Sequence, residues 1–161
     1  MNFDHKILSL SFLKNIKRDK TAKIVLAGGC FDILHYGHVV FMQQAQAAGD
    51  SLVLLLESDE FIMKAKKKKP VHTQRQRAEI LAALGYVDYV VELPFLVDPD
   101  IDYAKIIKEI SPSIIAFTEG DSKKAQKMKF AHEVNAQAVT IPLLSSFSSS
   151  QLITYAPIFR D

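Results

Sequence analysis

The chain has 161 residues, of which 48% are hydrophobic and 24% are charged, and these fractions are typical of one globular domain. This composition excludes a disordered or fibrous chain, and the single cysteine, Cys30, excludes an intramolecular disulfide framework. The net charge of +2 argues against a dedicated nucleic-acid binder. The sequence has no apolar run of the roughly 20 residues that a membrane span needs, and no signal-peptide pattern at its start. A cytoplasmic domain without membrane or nucleic-acid partners is therefore expected.

The first half of the chain predicts a leading helix and then alternating strands and helices. Residues 9–17 place apolar side chains on one side of a short helix, and the apolar run 23–27, which ends at two glycines, predicts a buried strand. The pattern turns helical at 38–48, and a second buried strand is expected at 52–56. The lysine-rich segment 64–69, which a proline follows, is expected to be a loop.

The second half of the chain continues the alternation. Thr73 has the position of a helix N-cap, and glycines or prolines bound several of the segments that follow. A short last helix is expected near Gln151. The other predicted elements are, in chain order, a helix at 73–84, a strand at 87–91, a helix at 103–110, a strand at 113–117, a helix at 121–135 and a strand at 138–142.

Strands that alternate with helices of about ten residues are typical of a parallel sheet covered by helices on both faces. The sequence therefore predicts an α/β fold, a Rossmann-like, doubly wound, five-stranded parallel sheet in a single domain. Residues 1–20 form a leading extension of this domain, and residues 21–155 form its core. In such folds ligands bind beyond the carboxyl ends of the strands, so the loops at those ends are candidate sites.

The loop after the first core strand carries the strongest chemical signal, the eleven residues GGCFDILHYGH from Gly28 to His38. Its two leading glycines let the backbone turn tightly and approach a ligand. His35 and His38 are three positions apart, so at a helix start their side chains project to the same side, where free N–H groups favour phosphate. Two alternatives are hydrogen-bonded structural histidines and a zinc site that also uses Cys30.

This loop resembles the HxGH signature of the cytidylyltransferase-like nucleotidyltransferases, and the similarity extends over nearly the whole chain. The residues that carry it are Gly29-Cys30-Phe31-Asp32 and His35-Tyr36-Gly37-His38. The GCFD form of the motif is most similar to the adenylyltransferase domain of ADP-heptose synthesis. The segment Asp59-Glu60-Phe61 and the lysine cluster are more similar to glycerol-3-phosphate cytidylyltransferase.

The resemblance implies an enzyme that transfers a nucleoside monophosphate from ATP or CTP to a sugar or polyol phosphate and releases pyrophosphate. Catalysis would consist of aligning the reactants and neutralising charge, because an ionised phosphate needs little help from a general base. His35 and His38 would be catalytic, together with Lys66 from the lysine cluster. The resemblance further implies Mg²⁺ bridged mainly by phosphates, with no metal site made by the protein alone, and a homodimer.

The resemblance also implies nucleotide-binding residues in several loops. Lys68 and Arg77 are basic matches, although a solvated charge run and an ordinary surface arginine are the alternatives. Relatives often have a basic residue near Thr118, and this sequence has none there. Asp121 is also a candidate helix N-cap, and the serine-rich segment also fits a flexible linker. The matching nucleotide-site residues outside the lysine region are Gly29, Cys30, Phe31, Asp32, Gly37, Thr118, Gly120, Asp121, Ser148, Ser149 and Ser150.

Two other functions are alternatives at the level of sequence. The altered loop at Thr118 and the serine substitutions fit a non-catalytic nucleotide-binding module of the same fold. The lysine clusters fit nucleic-acid binding, but no aromatic residues alternate with them to stack on bases. The sequence does not distinguish ATP from CTP, and it does not identify the acceptor.

Overall fold

The computed structural model describes residues 3–16 and 21–144. Within these residues, six strands form one sheet, and every pair of neighbouring strands is parallel. The strands are β1 (Ile7–Ser9), β2 (Ile24–Gly29), β3 (Ser51–Leu56), β4 (Tyr89–Glu92), β5 (Ile114–Thr118) and β6 (Gln137–Ile141). Their order across the sheet is β1-β4-β3-β2-β5-β6. The predicted α/β fold with a parallel sheet is confirmed.

Strand β1 corrects the predicted count of five strands. The sequence predicts a helix at 9–17, but Ile7, Leu8 and Ser9 pair with β4, and a 3₁₀ helix follows at Leu10–Asn15. A strand of three residues is too short to show an alternating pattern in the sequence. Its conformation comes from pairing with an edge that is more than 80 residues away, which local patterns cannot reveal.

Five α-helices connect the strands, and the second of them corrects a predicted loop. The helices are α1 (Tyr36–Gln46), α2 (Asp59–Lys66), α3 (Gln74–Ala82), α4 (Pro99–Ile110) and α5 (Lys124–Glu133). Helix α2 forms because the hydroxyl of Ser58 accepts a hydrogen bond from the Phe61 N–H at 3.1 Å, and two acidic residues occupy the first turn. The lysine cluster therefore begins inside a helix and leaves it only at Lys67.

Side-chain caps explain two of the other helix starts, and one of these caps was predicted. The hydroxyl of Thr73 accepts a hydrogen bond from the Gln76 N–H at 3.3 Å, which confirms Thr73 as the N-cap of α3. Helix α4 starts at Pro99, four residues before the predicted start, because Asp98 caps it and proline suits the first helical position. The predicted last helix near Gln151 lies outside the described residues.

The sheet separates two apolar layers, because successive residues of each strand face opposite sides. Val25 and Ala27 of β2 pack with α1 and α3 in one layer, whereas Leu26 packs with α4 and α5 in the other. Within the sheet, β3 and β4 lie on one side of β2, and β5 and β6 lie on its other side, so the strand order reverses at β2. In a doubly wound sheet this switch point, here beside β2 and β5, is where ligands bind.

In the described part of the chain, no helix is both long and apolar enough to cross a membrane.

Candidate active site

A cavity of about 360 Å³ opens at the switch point, beyond the carboxyl ends of β2 and β5. It is lined by the loop after β2, by the start of α1, by the end of α2 and by the residues that follow β5 and β6. The predicted site residues that line it are Gly29, Cys30, Phe31, Asp32, His35, Gly37, His38, Lys66, Thr118 and Asp121. The fold therefore brings together residues that are up to 92 positions apart in the sequence.

The two histidines lie at the start of α1 and stack on each other. Their ring centroids are 3.8 Å apart, and the ring planes are inclined by 25°. The backbone N–H of His35 donates a weak hydrogen bond to Nδ1 of His38 at 3.4 Å. Because Nδ1 of His38 accepts this bond, the proton of its neutral ring lies on Nε2, where it can be donated to a ligand.

Burial makes His38 a neutral donor at physiological pH. It lowers the pKa of His38 to about 4, and the nearby charges of His35 and Lys66 act in the same direction. Burial also lowers the pKa of His35, which is less enclosed. A bound triphosphate would oppose these effects, because negative charge favours the protonated imidazole. The pair can therefore respond to charge that develops on a phosphate.

A left-handed residue turns the chain between β2 and α1. Phe31 has φ of 45°, an unusual value for a residue with a bulky side chain, and its ring is buried. A Cβ atom at Gly29 would lie 3.1 Å from the Phe31 ring, closer than most contacts of a Cβ atom, so glycine at position 29 lets the ring pack closely against the backbone. The Phe31 ring also contacts the edge of the His38 ring, with 5.4 Å between centroids. This turn thus fixes the position of His38.

Asp32 connects this turn to the segment before α3. Its Oδ1 accepts hydrogen bonds from the backbone N–H groups of Val71 and His72, at 2.8 and 3.3 Å. Its Oδ2 is buried and has no hydrogen-bond partner among the described residues, and the same is true of Nδ1 of His35. Buried polar atoms without partners are rare, and at a cavity they indicate where a bound group would supply the missing interaction.

The structure corrects the prediction that Arg77 binds phosphate. The side chain is 0% exposed and does not line the cavity. Its guanidinium donates to the backbone carbonyls of Cys30, Glu57 and His72, and it forms an ion pair with Asp59 at 2.7 Å. All of these partners lie in loops or at a helix start around the cavity, so Arg77 holds these segments of the site in position.

The lysine cluster contributes one side chain to the cavity. Lys66, the last residue of α2, lines it together with Cys30. Burial raises the pKa of Cys30, and Lys66 only partly opposes this effect, so the cysteine is a thiol at neutral pH. Lys68 does not line the cavity, and neither does Gly120, which occupies a turn with φ of 76°.

Comparisons with known proteins identify the family. Residues 26–142 match the family model described as cytidylyltransferase-like. The chain belongs to the cytidylyltransferase-like family. It is 37% identical over 131 residues to the FAD synthase of Thermococcus kodakarensis, a match that covers 78% of this chain and 85% of that protein.

A second relative and a solved structure agree with this assignment. The cytidylyltransferase-like chain is 38% identical over 143 residues to the bifunctional protein HldE of Campylobacter concisus, and the match covers 75% of this chain but only 30% of that protein. The crystal structure of pantoate-beta-alanine ligase from Francisella tularensis has the same fold, with a TM-score of 0.68. That alignment covers 94% of this chain and 73% of the ligase at 16% identity. The chain is a nucleotidyltransferase with a Rossmann-like fold.

Among the described residues that line the cavity, one charged side chain is absent from the site predicted from the sequence. Lys127 of the cytidylyltransferase-like chain lines the cavity and forms an ion pair with Asp121 at 2.7 Å. Burial alone would raise the pKa of Asp121, but hydrogen bonds from Lys127 and from the Lys123 N–H outweigh it and hold the pKa below its usual value. Lys127 thus supplies a cation near Thr118, where the sequence lacks the expected basic residue. Because Lys127 lies in the first turn of the helix after β5, its place in the sequence could have predicted that it reaches the site.

The serine-rich segment and the zinc alternative are the remaining predictions from the sequence. Ser148, Ser149 and Ser150 lie outside the described residues, although Leu143 and Leu144, which precede that segment, line the cavity. The zinc alternative has no support within residues 3–16 and 21–144, because no three His, Cys, Asp or Glu side chains are grouped to hold a metal ion there.

Proposed function

We propose that this chain transfers an adenylyl group from ATP to the phosphate of a small acceptor molecule and releases pyrophosphate. The observation that carries the proposal is the stacked pair of His35 and His38, which shares one cavity with the cations of Lys66 and Lys127. The name of the FAD synthase relative indicates a product that contains adenine, which supports ATP over CTP as the donor.

The reaction forms one bond and breaks one bond at the α-phosphorus of ATP. An oxygen of the acceptor's ionised phosphate attacks this phosphorus, and the bond from it to the oxygen that bridges to the β-phosphorus breaks. The electron pair of that bond leaves with pyrophosphate. Because the nucleophile carries no proton, the site needs no general base, and its task is to align the groups and to neutralise charge.

The groups in the cavity match this task. Nε2–H of His38 can donate to an oxygen of the α-phosphate, and the positive end of the α1 dipole favours the same negative charge. Lys66, at the end of α2, can neutralise charge that develops on the leaving pyrophosphate. Lys127, on the helix that follows β5, also lines the cavity, and it can bind the acceptor's phosphate.

The donor atoms of the cavity fit a divalent cation that is held mainly by phosphates. Mg²⁺ prefers oxygen ligands and usually keeps several waters, with one or two carboxylates from the protein. Asp32, whose Oδ2 is buried without a partner among the described residues, is the carboxylate placed to hold it. When bound, the ion would neutralise the triphosphate and favour departure of pyrophosphate. Contacts of Ser148, Ser149 and Ser150 with the β- and γ-phosphates, a homodimer and a cytoplasmic location stay predictions.

Pyrophosphate release is the measurement that tests the proposed reaction. ATP, CTP, GTP and UTP are each combined with a panel of phosphorylated sugars, polyols and FMN in the presence of Mg²⁺, and ATP is expected to give the highest rate. Substitution His38→Ala should lower kcat/KM by about 10²–10³-fold, because it removes a donor to the transition state. The matched control is His132→Ala at the exposed end of α5, which should keep full activity.

Two results would contradict the proposal. Equal rates of pyrophosphate release in the wild type and in His38→Ala would overturn the role of the histidine pair. Tight nucleotide binding without release for any pair in the panel would indicate the non-catalytic nucleotide-binding module instead.

A further inference from the structure

A second cavity, of about 320 Å³, lies on the other side of β2 from the histidines. It is enclosed by the sheet and by α4 and α5, and most of the side chains around it are apolar. The apolar side chains that form its walls are Leu26, Leu55, Phe61, Ile107, Ile115 and Phe130. None of the predicted catalytic residues lines it, so the proposed reaction does not by itself explain this space.

The two cavities meet at the end of β2. Gly28, Gly29 and Cys30 line both of them, and so does the ion pair of Asp121 and Lys127. Alternation along β2 directs position 28 toward the second cavity, where a Cβ atom would lie 3.5 Å from Cβ of Leu55. Position 29 faces the Phe31 ring on the side of the first cavity. Since both positions are glycine, no side chain of β2 separates the two spaces.

One polar pair interrupts the apolar wall of the second cavity. The hydroxyl of Tyr103 on α4 donates a hydrogen bond to Oε1 of Glu57, which follows β3 and is only 8% exposed. Burial raises the pKa of Glu57, which reflects its apolar surroundings. A carboxyl group in such a wall is a directional partner for an N–H or O–H group of a bound molecule.

We propose that the second cavity holds the body of the acceptor, and that this body is a largely apolar ring system with an N–H or O–H group for Glu57. The inference rests on the proposed adenylyl transfer and adds the chemical class of the acceptor to it. A phosphate on such a molecule would lie at the junction of the cavities beside Lys127. Its oxygen would then face the α-phosphorus of a nucleotide in the first cavity.

The chemistry of the wall disfavours a sugar or polyol phosphate. Each hydroxyl group of a sugar that enters an apolar wall loses its hydrogen bonds to water, and an unreplaced bond is costly. The polar side chains among the described residues that line the cavity are Cys30, Glu57, Tyr103, Lys123, Gln126 and the junction pair of Asp121 and Lys127. The apolar walls between them offer the hydroxyl groups of a sugar no side-chain partner. An aromatic ring system, in contrast, gains free energy by burying its faces against Phe61 and Phe130.

The first experiment measures binding without turnover. FMN serves as the probe, and the change in its flavin fluorescence is followed as the full-length protein is added in the presence of a non-hydrolysable ATP analogue. We expect saturable binding, and about tenfold or more weaker binding of glycerol 3-phosphate or a hexose 1-phosphate when they compete with FMN. Preferential binding of the sugar or polyol phosphate would overturn the proposal. Because the ATP analogue does not react, this experiment tests acceptor binding independently of the proposed reaction.

The second experiment fills the second cavity from the side of α4. Ile107→Phe adds a larger ring at a position that does not line the first cavity. It should weaken FMN binding by about tenfold while the affinity for the ATP analogue stays within about twofold. The matched control for the ring is Ile80→Phe, at a position on α3 that is 39% exposed and lines neither cavity.

Two further variants test the polar pair without a large change in the volume of the cavity. Tyr103→Phe removes the hydroxyl that holds Glu57 and leaves the ring in place, and Glu57→Gln keeps the shape of the carboxyl group. Each should lower FMN affinity without changing the affinity for the ATP analogue. Loss of both affinities to the same extent, or of neither, in Ile107→Phe and Tyr103→Phe would show that the second cavity does not hold the acceptor. Absence of pyrophosphate release despite selective FMN binding would instead refute the proposed reaction alone.

Discussion

Arg77 is the largest fully buried side chain among the described residues, and its charge is used entirely within the protein. It binds carbonyl oxygens at the end of β2, at the end of β3 and before α3, and it pairs with Asp59 at the start of α2. An arginine can satisfy this set because its planar group presents five donors in fixed directions. From the sequence it resembles a phosphate-binding residue, since a basic residue near a ligand loop has the same appearance in either role.

Replacing Arg77 should therefore affect stability before it affects binding. The substitution Arg77→Met takes the partner from Asp59, but that side chain is 35% exposed and water partly replaces the lost interaction. It also leaves three backbone carbonyl groups without their donor, and a buried polar group without a partner costs about 1–3 kcal/mol. We expect a decrease of that size in the free energy of unfolding, measured by urea denaturation. The matched control is Arg75→Met on the same helix, where the side chain is 49% exposed and pairs with Asp4 and Glu79. It should cost less than about 1 kcal/mol.

A different pattern would restore the phosphate assignment. If Arg77→Met unfolded at the same urea concentration as Arg75→Met but lost affinity for ATP, the guanidinium would have to contact the nucleotide during binding.

At the scale of secondary-structure elements, Gly49 and Gly85 look alike in the sequence but differ in the structure. Each follows a helix and is expected to stop it. A Cβ atom at Gly49 would lie 2.7 Å from the Lys23 carbonyl oxygen and 2.7 Å from Cγ2 of Val25, whereas one at Gly85 would meet nothing within 4 Å. Gly49 is therefore needed because the turn between α1 and β3 passes directly over the start of β2.

The two glycines make a matched pair for mutation. Gly49→Ala should lower the free energy of unfolding by about 1–3 kcal/mol, because backbone atoms must move to admit the methyl group. Gly85→Ala should leave it unchanged or raise it by up to about 1 kcal/mol through a smaller entropy of the unfolded chain. Urea denaturation measures both values. Equal effects of the two substitutions would mean that the turn at Gly49 adjusts freely.

These elements also show what local sequence can reveal. The core strands and the N-cap at Thr73 are evident because apolar runs and capping residues act within a few positions. Helix α2 was mistaken for a loop because its lysines hide the signal of Ser58, and β1 was missed because its partner is distant in sequence. The candidate site was predicted in part for the same reason. The loop from Gly28 to His38 is a local motif that the sequence shows directly. Lys127 and Glu57 are brought to the cavities by the topology of the sheet, which local sequence does not show.

At the scale of the whole molecule, the topology places two cavities on either side of one strand. The order of the sheet puts β3 on one side of β2 and β5 on the other. Helix α1, which follows β2, and helix α5, which follows β5, pack on opposite faces of the sheet. The first cavity opens between α1 and the residues after β5 and β6, and the second lies under α4 and α5. Among the described residues the two cavities share Gly28, Gly29, Cys30 and the pair of Asp121 and Lys127, so two molecules can be bound side by side at the same time.

This arrangement predicts direct transfer between two bound substrates, without a nucleotide attached to the protein. Cys30 lines both cavities, but burial raises the pKa of its thiol, so little nucleophilic thiolate is present at neutral pH. Initial rates measured at several concentrations of ATP and acceptor should give intersecting lines in double-reciprocal plots, and Cys30→Ala should keep this pattern. Labelled pyrophosphate should not exchange into ATP when the acceptor is absent. Parallel lines together with such exchange would reveal a covalent intermediate. The nucleotide would then be transferred first to the protein and afterwards to the acceptor, and the two substrates would not need to be bound at the same time.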